Sequence, residues 1–265
     1  NCRVNMNEMY IGTFHSVCLR LLKEHSEEIS GNRQSRMMDA FEQAYMVCQN
    51  IEDFKYLRGF REHIPQTLGV WKQATEICRY VNQMMEELVD IEKMVNDIDE
   101  DMRFLGKLVM RYQKLLNKKN VMDFSSVQID TWKLLAENED ICKAVQEKIR
   151  YVMVDEYQDT NYIQEQLAFR IAGNRKNICV VGDDDQGMYR FRGATIRNIL
   201  EFPDKFAKEE CRVIHLNDNY RSEPGIIGFY NNWMESVEGI NLFNWDKYRY
   251  QKQIQARKSH VRPGE

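Results

Sequence analysis

Residues 150–193 constrain this chain more than any other stretch, because twice within them a short apolar run ends abruptly in acidic residues. Tyr151 to Val154 leads into Asp155 and Glu156, and Asn177 to Gly182 leads into Asp183, Asp184 and Asp185. Runs of that length and composition suit strands buried on both faces of a parallel sheet. Ile163, Leu167 and Ile171 lie between them at helical spacing, and a helix joining two strands calls for parallel pairing. In open α/β sheets ligands collect outside the carboxyl ends of the strands. Two adjacent carboxylates at such an edge suit a magnesium–nucleotide site, Asp155 holding the hydrated ion and Glu156 polarising an attacking water. The plainer alternative is that Asp155 and Glu156 merely open a loop. Three consecutive aspartates weigh against it, since like charge so concentrated is costly without a cation nearby.

The rest of the chain alternates in the same way, with one long interruption. Residues 8–12 read as a short strand, and Thr13 as the N-cap of a helix whose apolar face is Phe14, Val17, Cys18, Leu21 and Leu22. From residue 31 to 119 β-rich runs are absent. Ile77, Val81, Met84, Leu88, Ile91, Val95 and Ile98 step in threes and fours, as do Met102, Leu105, Leu108, Val109, Tyr112 and Leu116. This predicts two long helices broken near Asp99-Glu100-Asp101. Asp123 is placed to cap a helix carrying Phe124, Val127, Thr131 and Leu134, and Ile141, Val145 and Ile149 mark the next. A third apolar run, Arg212 to Leu216, precedes Tyr220-Arg221-Ser222, and Pro224 suits the first turn of a helix bearing Ile227, Tyr230, Trp233 and Met234. Residues 239–265 mix aromatics and cations without a period.

Bulk properties narrow the class. No apolar run reaches membrane-spanning length, and the start lacks a signal-peptide pattern. Seven cysteines with no C-x-x-C pair argue for reduced thiols in a cytoplasmic protein, and against a zinc site or a disulfide framework. A net charge of −4 runs against the usual basic footprint of nucleic-acid binding. That objection is limited, because a single strand can be gripped by stacking and a few local cations.

Four motifs then converge on one family. Val154 to Asn161 (Val-Asp-Glu-Tyr-Gln-Asp-Thr-Asn), Val181 to Gln186 (Val-Gly-Asp-Asp-Asp-Gln), Tyr189 to Ala194 (Tyr-Arg-Phe-Arg-Gly-Ala) and Asn219 to Ser222 (Asn-Tyr-Arg-Ser) resemble motifs II, III and IV of the UvrD/Rep/PcrA helicases of superfamily 1. Thr13-Phe14-His15-Ser16 resembles motif Ib. The resemblance implies an α/β fold, a RecA-like P-loop NTPase parallel sheet, here partial, with a large all-helical insertion. It implies a motor domain 1A over 1–30 and 120–238, a helical domain 1B over 31–119, and the start of domain 2A, or a tail, over 239–265. Asp155 and Glu156 would meet Mg2+, with Glu156 as general base. Gln186 would sense the γ-phosphate of ATP, Tyr220 would stack on adenine, and Arg221 would reach the γ-phosphate. Thr13, Phe14, His15, Tyr189, Phe191 and Arg192 would touch single-stranded DNA at a single-strand/duplex junction, with 3′→5′ translocation. Read from the residues alone, Tyr189 and Phe191 share a side of an extended segment, and core aromatics are the alternative. Gly187-Met188 departs from the Ser-Ile usual in motif III, and glycine adds backbone freedom there.

No G-x-x-x-x-G-K-[ST] occurs in these 265 residues. The expectation is therefore an internal piece of a longer helicase, folded but unable to hydrolyse ATP alone. The competing reading is a naturally truncated, non-enzymatic module of the same fold that binds DNA or protein. A magnesium-dependent nuclease ranks below both, since no lysine is spaced to complete such a site.

Overall fold

The computed structural model describes residues 8–27, 35–187, 197–208, 210–236, 250 and 252–258. Helices dominate them: α1 (Phe14–Glu24), α2 (Ala40–Gln49), α3 (Ile51–Lys55), α4 (Phe60–His63), α5 (Val70–Glu86), α6 (Ile91–Val95), α7 (Glu100–Lys119), α8 (Phe124–Glu137), α9 (Glu139–Lys148), α10 (Tyr162–Ala172), α11 (Arg197–Leu200) and α12 (Pro224–Ser236). Three parallel strand pairs lie between them: β1 (Arg36–Met37) with β2 (Val121–Met122), β3 (Val152–Val154) with β4 (Ile178–Val180), and β5 (Asp218–Asn219) with β6 (Gln255–Ala256).

The sequence explains most helix starts. Thr13 Oγ1 accepts from Ser16 N at 3.3 Å and caps α1. Asp123 forms a capping box with Ser126 at the head of α8, and Asn161 forms one with Gln164 at the head of α10. Asp99 Oδ1 accepts from Asp101 N and Met102 N, at 2.8 and 3.2 Å, and starts α7. One expected long helix divides in two. The spacing from Ile77 to Ile98 runs on unbroken, but α5 ends at Glu86, Leu88 turns left-handed at φ 50°, and Asp90 caps α6. The apolar period misses this break because Ile91 and Met94 still pack inward after it, whereas Ile98 is exposed.

β1 and β2 bracket the helical stretch α2 to α7, with Arg36 beside Val121 and Met37 beside Met122. One core runs through that stretch and the helices on either side of it. Leu21 of α1, Phe54 of α3, Ile77 and Val81 of α5, Leu108 of α7, Leu135 of α8 and Leu167 of α10 belong to a single buried cluster. A polar seam crosses it. Gln43 Nε2 donates to Asn82 Oδ1 at 2.8 Å, Tyr112 Oη at 2.9 Å and Asp123 Oδ2 at 3.0 Å, and Tyr112 also donates to Asp123.

Three strand expectations need correction. Residues 8–12 and 212–216 form no strand, because among the described residues no ladder partner lies beside either run, and Ile214 and Leu216 point into solvent. Pairing falls instead at Asp218–Asn219. The β3–β4 pair is also not buried on both faces. Val154 and Val180 face Tyr157, Ala168 of α10, Ile199 and Phe202, while Met153 is 78 % exposed and Cys179 lies open beside it. A parallel sheet needs a layer on each face, and the described residues place helices on one.

Candidate active site

The register Val154 beside Val180 brings both acidic edges to the same end of the sheet. Val181 N donates to Val154 O at 2.8 Å and Tyr157 N to Val181 O at 2.9 Å, so the ladder runs on past the strands. Asp155 and Glu156 are exposed at the first tip. Glu156 sits in the left-handed region at φ 51°, a conformation that costs a residue with a Cβ and is over-represented at functional sites. Asp159, in the 3-10 turn that follows, has a carboxylate oxygen, Oδ1, buried with no hydrogen-bond partner. Burial, and then the charge on Glu156, raises its pKa.

Gln158 joins the two tips. This buried side chain donates from Nε2 to Glu156 Oε2 at 2.7 Å and accepts from Asp183 N at Oε1, at 3.0 Å. The bridge passes over Gly182, where a Cβ would stand 2.4 Å from Gln158 Oε1 and 2.8 Å from Ile199 Cδ1. Glycine is therefore required by close approach, although its backbone angle is ordinary.

The second tip is a tight acidic turn. Asp183 Oδ1 caps the 3-10 turn Asp184–Gln186 by accepting from Asp185 N at 3.1 Å, and Gln186 Nε2 donates to Asp183 Oδ2 at 2.7 Å. The cation demanded by three consecutive aspartates is Lys252. Its ammonium contacts Asp183, reaches Asp184 Oδ1 at 2.6 Å and Asp185 Oδ2 at 3.1 Å, and its side chain is only 14 % exposed. Burial opposes the charge on Lys252, but its hydrogen bonds to Asp183 and Asp184 prevail and raise its pKa. Burial likewise pushes the Asp183 carboxyl up, and hydrogen bonds from Lys252 and Gln186 bring it below its usual range. Tyr230 Oη donates to Asp185 Oδ2 at 2.5 Å and Tyr250 N to Asp184 Oδ2 at 2.7 Å.

The structure places the other candidates around this edge unevenly. Tyr220 and Arg221 stand exposed on a turn held by Asn219 Oδ1, which accepts from Arg221 N at 3.0 Å and Ser222 N at 2.8 Å. The three aspartates pair with Lys252, and no ion pair joins them to Arg221 among the described residues. Thr13 spends its hydroxyl on the α1 cap, and Phe14 packs against the Val154–Tyr157 cluster. His15 is half-buried, Nε2 lying 2.8 Å from Gln128 Nε2 and the ring edge-on to Phe124. Tyr189, Phe191 and Arg192 lie outside the described residues, as does Met188.

Residues 2–207 match the UvrD/REP helicase N-terminal domain. The chain belongs to the UvrD/REP helicase family. It is 33 % identical over 257 residues to a probable DNA helicase II homolog of Rickettsia conorii, covering 96 % of this chain and 36 % of that protein. It is 30 % identical over 255 residues to the ATP-dependent DNA helicase PcrA of Bacillus subtilis, covering 89 % and 32 %. Against the ATP-dependent DNA helicase UvrD1 of Mycobacterium bovis it is 31 % identical over 231 residues, covering 84 % and 29 %. The chain thus spans about a third of the length of these curated relatives.

Membership in the UvrD/REP family carries a RecA-like α/β fold, with which the parallel β3–β4 pair and its crossover helix α10 agree. No helix among the described residues is long and apolar enough to cross a membrane. Gln158, Lys252, Tyr230 and Tyr250 are the parts of this site that sequence reasoning missed. The three aspartates did signal a missing cation, but not which one, since Lys252 lies 69 residues after Asp183.

Proposed function

We propose that this chain carries part of the ATP-hydrolysing and DNA-gripping machinery of a UvrD/Rep-like helicase that moves 3′→5′ along single-stranded DNA in repair, replication or recombination. The observation that carries the reading is the pair of acidic strand tips locked side by side by Gln158. The donor set fits Mg2+ in its usual nucleotide-bound form. That ion keeps several waters and takes one or two carboxylates plus substrate phosphates. Asp155 and Glu156 offer two open carboxylates, with the orphaned Asp159 oxygen beside them. No cage of three or more ligating side chains exists among the described residues. When bound, the ion would neutralise charge on the β- and γ-phosphates.

The chain's own groups supply the rest. Asp155 would hold the ion, and Glu156, fixed by Gln158, would accept the proton of the attacking water. Gln186 stands on the turn built by Asp183, where an amide can follow the γ-phosphate. Tyr220 presents a flat ring for adenine, and Arg221 a guanidinium for charge developing on the transferred phosphoryl group. Thr13, Phe14 and His15 would touch single-stranded DNA, as would Tyr189, Phe191 and Arg192. Each stacked base is worth about 1–3 kcal/mol. The same reading divides the chain into domain 1A (1–30 and 120–238), domain 1B (31–119) and the beginning of 2A (239–265). The parallel β1–β2 pair supports the first boundary, being the point where the chain leaves and returns.

A second reading is a non-enzymatic, naturally truncated module of the same fold that binds DNA or protein. One assay decides. ATP turnover is measured, with and without single-stranded DNA, for the protein expressed in its natural reading frame and for Glu156→Gln. The helicase reading expects DNA-stimulated turnover that falls about 10²–10⁴-fold in the variant, nucleotide binding being retained. The 265 residues alone should give none above background. Turnover indifferent to Glu156 would remove the base assignment, and a natural protein with no turnover would leave the module.

A further inference from the structure

The stretch from Lys252 to Arg257 touches two turns that are far apart in sequence. At one end Lys252 holds Asp183, Asp184 and Asp185, and Tyr250 N just before it donates to Asp184. At the other end Gln255 N donates to Asn217 O and Arg257 N to Asn219 O, both at 2.8 Å, and Arg257 Nε pairs with Asp218 Oδ1 at 2.9 Å. In the middle, Asn231 of α12 clasps Ile254, Nδ2 donating to its carbonyl at 2.8 Å and Oδ1 accepting from its amide at 3.3 Å. One side is the turn that carries Gln186. The other is the turn that carries Tyr220 and Arg221.

We propose that residues 252–257 act as a strap that sets the spacing of these two turns, with Lys252 as its positioning residue. The proposal rests on the reading that both turns face one nucleotide. The strap has no slack, since three residues of extended chain from Lys252 to Gln255 reach only about 10 Å. Neither anchor is secure alone. A two-residue ladder such as β5–β6 is too short to persist unaided, and three aspartates without Lys252 repel one another. Each anchor therefore depends on the other, and coupling of this kind is reciprocal. An arginine or lysine that touched only the aspartates would steady that turn and nothing else.

The test is amide hydrogen exchange on the 265-residue chain, which needs no nucleotide and so stands or falls apart from the functional reading. The reporters are the bonded amides of Asp183, Asp185 and Gln186 on one side and of Arg221 and Ser222 on the other, with α5 amides as reference. Lys252→Met should speed exchange at the acidic turn at least about tenfold, as loss of a largely buried ionic partner requires. It should also speed Arg221 and Ser222, which Lys252 does not touch, by about threefold or more. Gln255→Pro, which deletes the amide bonded to Asn217, should do the converse and loosen the acidic turn. Lys252→Arg should restore both sides. Effects confined to the mutated side overturn the proposal. So does a Lys252→Met variant whose α5 amides exchange faster to the same degree, because Lys252 would then serve the fold at large.

Discussion

At the scale of single residues, the site depends on a side chain with no charge. Gln158 spends its oxygen on Asp183 N and its amide on Glu156, so replacing it leaves a half-buried amide hydrogen without its partner and frees a carboxylate. Leaving one such group unpaired costs about 1–3 kcal/mol. Gln158→Leu should therefore lower unfolding free energy by about that amount in urea titrations. Gly182→Ala should cost about 1–3 kcal/mol by forcing the same amide off its place, the new Cβ standing 2.4 Å from Gln158 Oε1. Equal urea midpoints for parent and Gln158→Leu would remove the bridge from the account. Asp155 and Glu156 were visible in the sequence because they end an apolar run, where charge has a reason to gather, and Gln186 only through the family resemblance. Gln158 was not. A neutral residue in a turn carries neither period nor charge, and only the closeness of β3 and β4 gives it work.

Elements were legible in proportion to their capping chemistry. Thr13, Asp123 and Pro224 open helices as their side chains demand, whereas the break at Leu88 was hidden by an apolar spacing that continues through it. Asp99 shows what a cap contributes. Asp99→Ala removes the one oxygen that accepts from two amides at the head of α7 and should cost about 1 kcal/mol, read as a fall in thermal midpoint. A midpoint unchanged from the parent's would mean that tertiary packing alone sets the start of α7. The contact of α1 with α8 adds a pH dependence through His15. Burial holds that imidazole below its ordinary value of 6.5. As pH falls, the unfolded chain takes up the proton first, so the contribution of neutral His15 is complete above 6.5 and shrinks as the pH drops toward the folded-state value. His15 faces Gln128 and Phe124, neither of which titrates. The stability difference between parent and His15→Gln should thus change steadily, against the parent, between pH 7.5 and 5.5, and a constant difference would contradict the burial argument. Strands were the least legible elements. An apolar run states a wish for a partner, and whether a partner lies beside it is a matter of the whole fold, as Arg212 to Leu216 demonstrates.

On the scale of the whole molecule, the change of composition at residue 31 suggests two bodies, yet the buried cluster passes from α1 through α5 and α7 to α10 without a gap. The polar seam reinforces that continuity, since Gln43, Asn82 and Tyr112 from three insertion helices meet Asp123 at the head of α8. Asp123 thereby serves two masters: its Oδ1 caps α8 through Ser126 N at 2.7 Å, and its Oδ2 receives the insertion. Sequence patterning sees the first role and not the second, because helix caps are local and seams are not. Two tryptophans stand on opposite sides of this junction, Trp71 on α5 and Trp132 on α8. In variants that keep only Trp71 or only Trp132 of the chain's four tryptophans, thermal unfolding followed by fluorescence should give the same midpoint from either ring, as a single cooperative core requires. Asp123→Ala leaves the Ser126 amide and the Tyr112 hydroxyl short of an acceptor. It should cost on the order of 3 kcal/mol and lower both midpoints together. If Trp71 were to report its transition well before Trp132, helices α2 to α7 would be a separate folding unit, and the acidic edge at β3 and β4 would keep its shape when they melt. If the midpoints coincide, whatever strains the insertion is felt at α8 and α10, and α10 is the helix on which β3, β4 and their carboxylates rest.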